Sequence, residues 1–228
     1  DPSGPYGPYT DATLPHVGVA AIMTALIHRR RTGKGTHIDI SQFETALNFI
    51  SPVLLDYAVN HRVATRKGNR CSDSVPHGVY RCRGEDRWCA IAIFSDEEWG
   101  RLCQVMGRPE LATIPRFASF QQRRENEDEI DCLISEWTAE RSAEEVMIML
   151  QKIDIAAGVA QTGKDLLEND PELAHRHFFR ELEHKEIGRH HYEAPPFRLS
   201  KTPCELSTPG PCMGEHNETV CKKILGFS

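Results

Sequence analysis

Asp11 is the one acidic side chain between Asp1 and the turn Thr32-Gly-Lys-Gly35, and it stands just before an apolar run over residues 17–27. Read locally, Thr10 and Asp11 are candidate N-caps, whose side-chain oxygens would accept from the orphan amides of a helix's first turn. Thr32-Gly-Lys-Gly35 has the composition of a phosphate loop, but it closes a helical run where a phosphate loop must open one, so it reads as a helix stop. His77 precedes Gly78 at the end of a polar stretch, where it serves either a substrate or a structural turn. His175, His177, His184, His190 and His191 raise the question of a metal. His175 and His177 would point to different sides of a helix and no cysteine or acid completes a set, so no metal site is expected. Cys71, Cys82, Cys89, Cys103, Cys132, Cys204, Cys212 and Cys221 include no C-x-x-C pair. In a chain this long they read as free thiols, mostly small core hydrophobes, rather than as disulfides or zinc ligands.

The elements that must carry these residues are legible from caps and periodicity. The opening Asp1-Pro-Ser-Gly-Pro-Tyr-Gly-Pro is turn-rich and cannot be helical. The apolar run after Asp11 ends in Arg29, Arg30 and Arg31 followed by Gly33, the usual C-terminal signals, and its apolar circumference predicts deep burial. Residues 37–40 read as a short strand, and Ser41 with Glu44 caps a helix over 42–59. A polar loop over 66–77 leads to two strands, 80–83 and 87–93, joined at Gly84-Glu85-Asp86. Ser95 with Glu98 opens a helix that Gly107 closes. Another helix covers 120–137, with Arg123 and Arg124 on its solvated face, and Ser142 with Glu145 caps one ending near Lys152. A buried strand over 158–161, one or two strands within 182–192, an irregular Pro-rich stretch over 195–211 and a short helix over 217–225 complete the chain. Trp88, Trp99 and Trp137 sit in apolar settings suited to a core. Helices mixed with short strands place the chain in the α/β or α+β class.

Composition narrows the function. The net charge of −6 and a pI near 6.0 disfavour nucleic acid and anionic membrane surfaces as partners. The apolar run over 17–27, which contains Gly18 and Thr24, is too short for a bilayer crossing. No secretory leader is visible, and a cytoplasmic setting is expected, although the first residue is Asp1 rather than Met. Composition shifts near residues 65 and 157 suggest three pieces, of which the middle one is self-sufficient.

A longer pattern then emerges. His28-Arg-Arg-Arg-Thr-Gly-Lys-Gly-Thr-His-Ile-Asp-Ile-Ser-Gln-Phe-Glu44 is followed by Gly68-Asn-Arg70, Pro76-His-Gly-Val-Tyr-Arg-Cys82 and Asp86-Arg-Trp-Cys-Ala-Ile-Ala92. Pro195-Pro-Phe-Arg-Leu-Ser200, Gly214-Glu-His-Asn217 and Ile224-Leu-Gly226 close the series. In this order the blocks resemble the family III CoA-transferases, to which formyl-CoA transferase and crotonobetainyl/carnitine CoA-transferase belong. The resemblance implies that Asp11 is the catalytic nucleophile. It would attack an acyl-CoA thioester to give a mixed anhydride, then an aspartyl-CoA thioester, before CoA passes to a free carboxylic acid. An ordinary carboxylate is already anionic at neutral pH, so no general base is required. Backbone amides at the helix start would stabilise the developing oxyanions.

The same resemblance implies an α/β fold in which 1–45 belongs to a large Rossmann-like domain and 46–67 is a connecting helix. Residues 68–156 would form a small α+β domain, and 157–228 would return to the large one. It further implies an interlocked homodimer and an upstream segment carrying most of the CoA-binding groups. CoA thioesters are then substrates, with no permanently bound cofactor. Related enzymes carry a glycine-rich loop near the position of His77 and Gly78, which are the substrate-binding candidates here. Residues 70–76, Arg-Cys-Ser-Asp-Ser-Val-Pro, lack those glycines. Two alternatives stand beside the transferase: an α-methylacyl-CoA racemase of the same fold, and a non-catalytic binding or dimerisation module.

Overall fold

In the computed structural model, residues 9–227 are described, and the chain divides into two compact units between Gly68 and Asn69. The opening eight residues, read above as a turn, lie outside the described part.

The first unit is helical. α1 (Tyr9–Thr32) ends where Gly33 takes φ +72° and its amide returns to Arg29 O at 2.8 Å, the helix stop anticipated from the glycine. Burial does not follow the sequence expectation: no α1 residue is buried, and Val19 and Met23 are 59% and 52% exposed. Three helices offer too little surface to enclose one that is apolar all round. At 24 residues α1 also extends well past the apolar run, and its most apolar window has a mean hydropathy of 1.3. Its length and composition therefore match a bilayer-crossing helix, contrary to the shorter reading, but a core helix meets the same criteria and none of this makes the chain a membrane protein.

Residues 37–40 form no strand, because no strand among the described residues pairs with them. Ser41 caps α2 (Gln42–Phe49), its hydroxyl accepting from Glu44 N at 3.2 Å. The single helix anticipated over 42–59 is two, since Pro52 lacks the amide that would continue the ladder and the chain breaks at Ile50 before α3 (Ser51–Asn60).

The second unit has a sealed core. β1 (His77–Arg81), β2 (Trp88–Ala92) and β3 (Ala156–Val159) form an antiparallel sheet in that order. Alternation along β2 turns Cys89 and Ile91 inward and Ala90 outward. On the inner face pack α6 (Glu127–Ala139) and α7 (Ala143–Gln151), with α5 (Phe120–Glu125) against α6 and α4 (Asp96–Val105) against α7. They contribute Trp99, Leu102, Ile130, Ile134, Val146 and Leu150. β3 begins two residues earlier than anticipated and is only half-buried, at the edge of the sheet. Trp99 and Trp137 are core residues, whereas Trp88 is half-buried and donates to Asp86 Oδ1 at 2.8 Å.

The helix anticipated over 120–137 breaks at Asn126, whose amide donates to Gln122 O at 2.8 Å in place of a backbone amide. Arg123 points inward, against its assignment to a solvated face. Arg123 is fully buried, with Nε 3.2 Å from Val75 O, Nη1 3.2 Å from Phe117 O and Nη2 2.7 Å from Asp96 Oδ1. Its guanidinium also lies 5.6 Å from the Trp99 ring centroid.

Beyond β3 come α8 (Gly163–Glu168), α9 (Pro171–His175) and the hairpin β4 (Phe179–His184)–β5 (Gly188–Glu193). The Pro-rich stretch is irregular, and the last helical turn, Thr219–Ile224, has π geometry. α8 is capped by Thr162, whose amide donates to Asp165 Oδ2 at 2.9 Å, and Asp165 pairs with Arg87 at 2.6 Å. The Thr162 amide, then the Arg87 guanidinium, hold the Asp165 carboxyl well below the usual carboxylate range.

Two outcomes follow. Arg123→Ala strands the carbonyls of the buried Val75 and Phe117, and is expected to cost about 2–5 kcal/mol in denaturant unfolding. A depressed carboxyl contributes stability above its unfolded pKa, near 4, that is lost as pH falls through its folded value. Thermal unfolding should therefore show Asp165→Asn least stable relative to the parent at neutral pH, the gap narrowing below about pH 4.

Candidate active site

Asp11 lies in the first turn of α1 and is exposed, so it acts on the helix from inside that turn rather than as the cap residue before it. A carboxylate here faces the positive end of the helix dipole. Four residues on, Pro15 has no amide to offer the Asp11 carbonyl. The side chain is oriented by Gln42, the first residue of α2, whose Nε2 donates to Asp11 Oδ1 and, at 3.0 Å, to Thr10 Oγ1. Gln42 is in turn fixed by its helix. Ser41 caps that helix, the buried Thr45 returns its hydroxyl to Ser41 O at 2.8 Å, and Phe49 meets Tyr9 edge-on at 6.3 Å between centroids. Among the described residues no side chain other than Gln42 donates to the Asp11 carboxylate. The arrangement holds one oxygen of an exposed carboxylate, which suits attack on an electrophile by the other.

Sequence reasoning missed Gln42. It stands in the quoted block Ile38-Asp-Ile-Ser-Gln-Phe-Glu44, directly after the cap Ser41, but nothing local says that its amide reaches back 31 positions.

His77 and Gly78 open β1 in the second unit. The half-buried His77 ring contacts Asn69 O through Nδ1. Both residues border a hollow of about 410 Å³ with Asn69, Val79, Ala90 and Gly158. Gly78 has a structural duty: a Cβ there would lie 2.9 Å from the Tyr80 ring and hydroxyl. Tyr80 is buried, and its hydroxyl donates to Asp131 Oδ1 at 2.7 Å.

The remaining candidates resolve into local roles. His184 Nδ1 accepts from Glu186 N at 3.1 Å and Ile187 N at 3.3 Å, building the β4–β5 turn. His190 stacks edge-on with Tyr192, and His191 lies 3.6 Å from Glu181. Among the described residues no three His, Cys, Asp or Glu side chains converge as a metal site would require. Cys82, Cys89 and Cys103 are core residues, and burial pushes the thiols of Cys89 and Cys103 up to about 12. Cys71 and Cys212 are half-buried and Cys132, Cys204 and Cys221 exposed, so the core reading holds for three of the eight.

The family model for CoA-transferase family III matches residues 1–217, and the chain belongs to that family. It is 36% identical over 96% of its length to a probable CoA-transferase of Mycobacterium tuberculosis, of which it covers 27%. It is 32% identical over 90% of its length to the succinyl-CoA–D-citramalate CoA-transferase of Chloroflexus aurantiacus, of which it covers 51%. Among solved structures, a CaiB/BaiF family protein from Brucella suis superposes with a TM-score of 0.84 at 25% identity, over 98% of this chain and 57% of that one. The chain thus spans about half the length of most of these relatives, and about a quarter of the first.

Gly78→Ala is expected to displace the buried Tyr80 ring and lose its bond to Asp131, costing about 1–3 kcal/mol of overpacking. Thermal unfolding should register that loss, and Tyr80→Leu in the same chain should recover part of it.

Proposed function

We propose that this chain supplies the nucleophile of an acyl-CoA:carboxylate CoA-transferase, with Asp11 as the group that carries the acyl and CoA moieties in turn. The observation that carries the reading is the exposed Asp11 carboxylate in the first turn of α1, held through one oxygen by Gln42. It lies in a chain matched by the family III model over residues 1–217. The free oxygen attacks the thioester carbonyl and expels CoA thiolate, forming an aspartyl anhydride. The thiolate then attacks the Asp11 carbonyl, releases the donor acid and leaves an aspartyl-CoA thioester. The acceptor carboxylate attacks that thioester and the sequence reverses. Amides of the first turn and the Gln42 Nε2 group face the charge that develops.

In this reading residues 1–45 belong to a Rossmann-like large domain and 46–67 connect it to a small domain over 68–156. Residues 157–228 return to the large domain. The protein works as an interlocked homodimer in the cytoplasm and relies on an upstream segment for much of its CoA contact. His77 and Gly78 border the substrate-facing hollow of the small domain. The acceptor is a small or medium organic acid, in keeping with the succinyl and citramalate groups named for the Chloroflexus relative.

The test is mass spectrometry of the full-length protein after incubation with acyl-CoAs and hydroxylamine. A hydroxamate is expected at Asp11, absent in Asp11→Asn, whose turnover should fall by about 10³-fold or more. Turnover with Asp11 unmodified would replace this mechanism with proton transfer of the racemase kind.

A further inference from the structure

With Asp11 as nucleophile, the same residue acts in two opposite ways. Its carboxylate first attacks the donor thioester. Once acylated, its own Cγ becomes the electrophile, attacked by CoA thiolate and later, as the thioester, by the acceptor carboxylate. Exposure is enough for the first action. The second needs a donor on the Asp11 oxygen that turns into an oxyanion.

Gln42 carries that donor and holds it still. Of the two hydrogens on Nε2, one goes to Asp11 Oδ1 and the other to Thr10 Oγ1 at 3.0 Å. Thr10 and Asp11 are neighbours in the first turn of α1, so two contacts to one helix fix the plane of the carboxamide. The Gln42 backbone is fixed at the head of α2, where Ser41 Oγ accepts from Glu44 N at 3.2 Å. The buried Thr45 bonds back to Ser41 O, and α2 packs on α1 with Tyr9 edge-on to Phe49. A donor held this way needs no reorganisation when charge forms on the oxygen it already touches.

The charge on that oxygen changes through the reaction. Oδ1 shares a charge with Oδ2 in the resting carboxylate and is a neutral carbonyl in the anhydride and the thioester. It bears the whole charge in the tetrahedral intermediates at Cγ. A neutral donor therefore binds those intermediates more strongly than the states on either side.

We infer that Gln42 is a catalytic residue for the two steps that occur at Asp11 Cγ, with Thr10 as the anchor that aims it. In the first, the CoA sulfur bonds to Cγ and the donor acid leaves as a carboxylate, taking the bridging oxygen. In the second, an acceptor oxygen bonds to Cγ and the C–S bond breaks to return the thiolate. In both, Oδ1 takes up the C=O electron pair and gives it back under the Nε2 hydrogen. This role rests on the reading of Asp11 as nucleophile and separates its steps: attacks on the donor and acceptor acyl carbons build their oxyanions elsewhere and gain little from Gln42.

The full-length protein, given an acyl-CoA donor and no acceptor, should form the aspartyl-CoA thioester, followed as a mass gain on the Asp11 peptide after rapid quenching. Hydroxylamine then discharges the native adduct by attacking the same Cγ, with no donor left to bind. Gln42→Met keeps the length and helix propensity of the side chain and loses both donors. It is expected to slow adduct formation and adduct discharge alike, each by about 10²- to 10³-fold. Thr10→Val, which leaves α2 untouched, should slow both by about 3- to 10-fold. Slow formation in Gln42→Met with discharge at the parent rate would overturn the assignment and leave Gln42 only orienting Asp11. Parent rates for both processes would also overturn it. Turnover by the parent with no CoA adduct on Asp11 would instead remove the reading on which it rests.

Discussion

The buried guanidinium of Arg123 is the contact on which the second unit turns. A charge taken wholly out of water is tolerated only when its donors are met, and here two carbonyls, a carboxylate and the face of Trp99 meet them. Those partners come from the segment before β1, the loop before α5 and the first turn of α4. One side chain therefore ties the approach to the sheet to the helical layer beneath it. The apolar core around Trp99, Phe117 and Ile130 closes over the same group. Removing the charge would leave the carbonyls of the buried Val75 and Phe117 unpaired, so the surrounding geometry and the arginine depend on each other.

The first unit obeys a different constraint. Its longest helix is apolar on every side, yet it packs chiefly on the short α2 and nearly everything on it is exposed. What order it has comes from polar devices: the Ser41 cap, the Thr45 hydroxyl and the Gln42 amide. The candidate carboxylate sits among these devices rather than in the apolar run. That placement suits a nucleophile, because a carboxylate needs donors to orient it and solvent-accessible space in which to react.

Local signals in the chain carried much of this. Serine followed by glutamate three positions later marked the starts of α2, α4 and α7, because a cap is a contact between residues close in sequence. The β1–β2 hairpin followed from alternation on either side of Gly84-Glu85-Asp86. Readings failed where a distant group outbid the local one. The helix over 120–137 broke because the Asn126 side chain competed for a carbonyl, and Arg123 turned inward because its partners lie up to 48 positions away. Residues 37–40 have strand-like composition but no partner among the described strands, and a strand is defined by its partner.

By itself the sequence determined the family, through blocks spread in order along the chain. It also determined the mixed α/β character and the one acid at the head of α1, since motif spacing, caps and periodicity are one-dimensional properties. Only the tertiary structure decided that Gln42 orients Asp11, that Gly78 makes room for Tyr80, and that Arg123 is buried while Arg70 stays open to solvent. Each of these is a meeting of groups brought together in space rather than by local pattern. Burial, which sets the strength of every charge and hydrogen bond, exists only once the chain has closed around them.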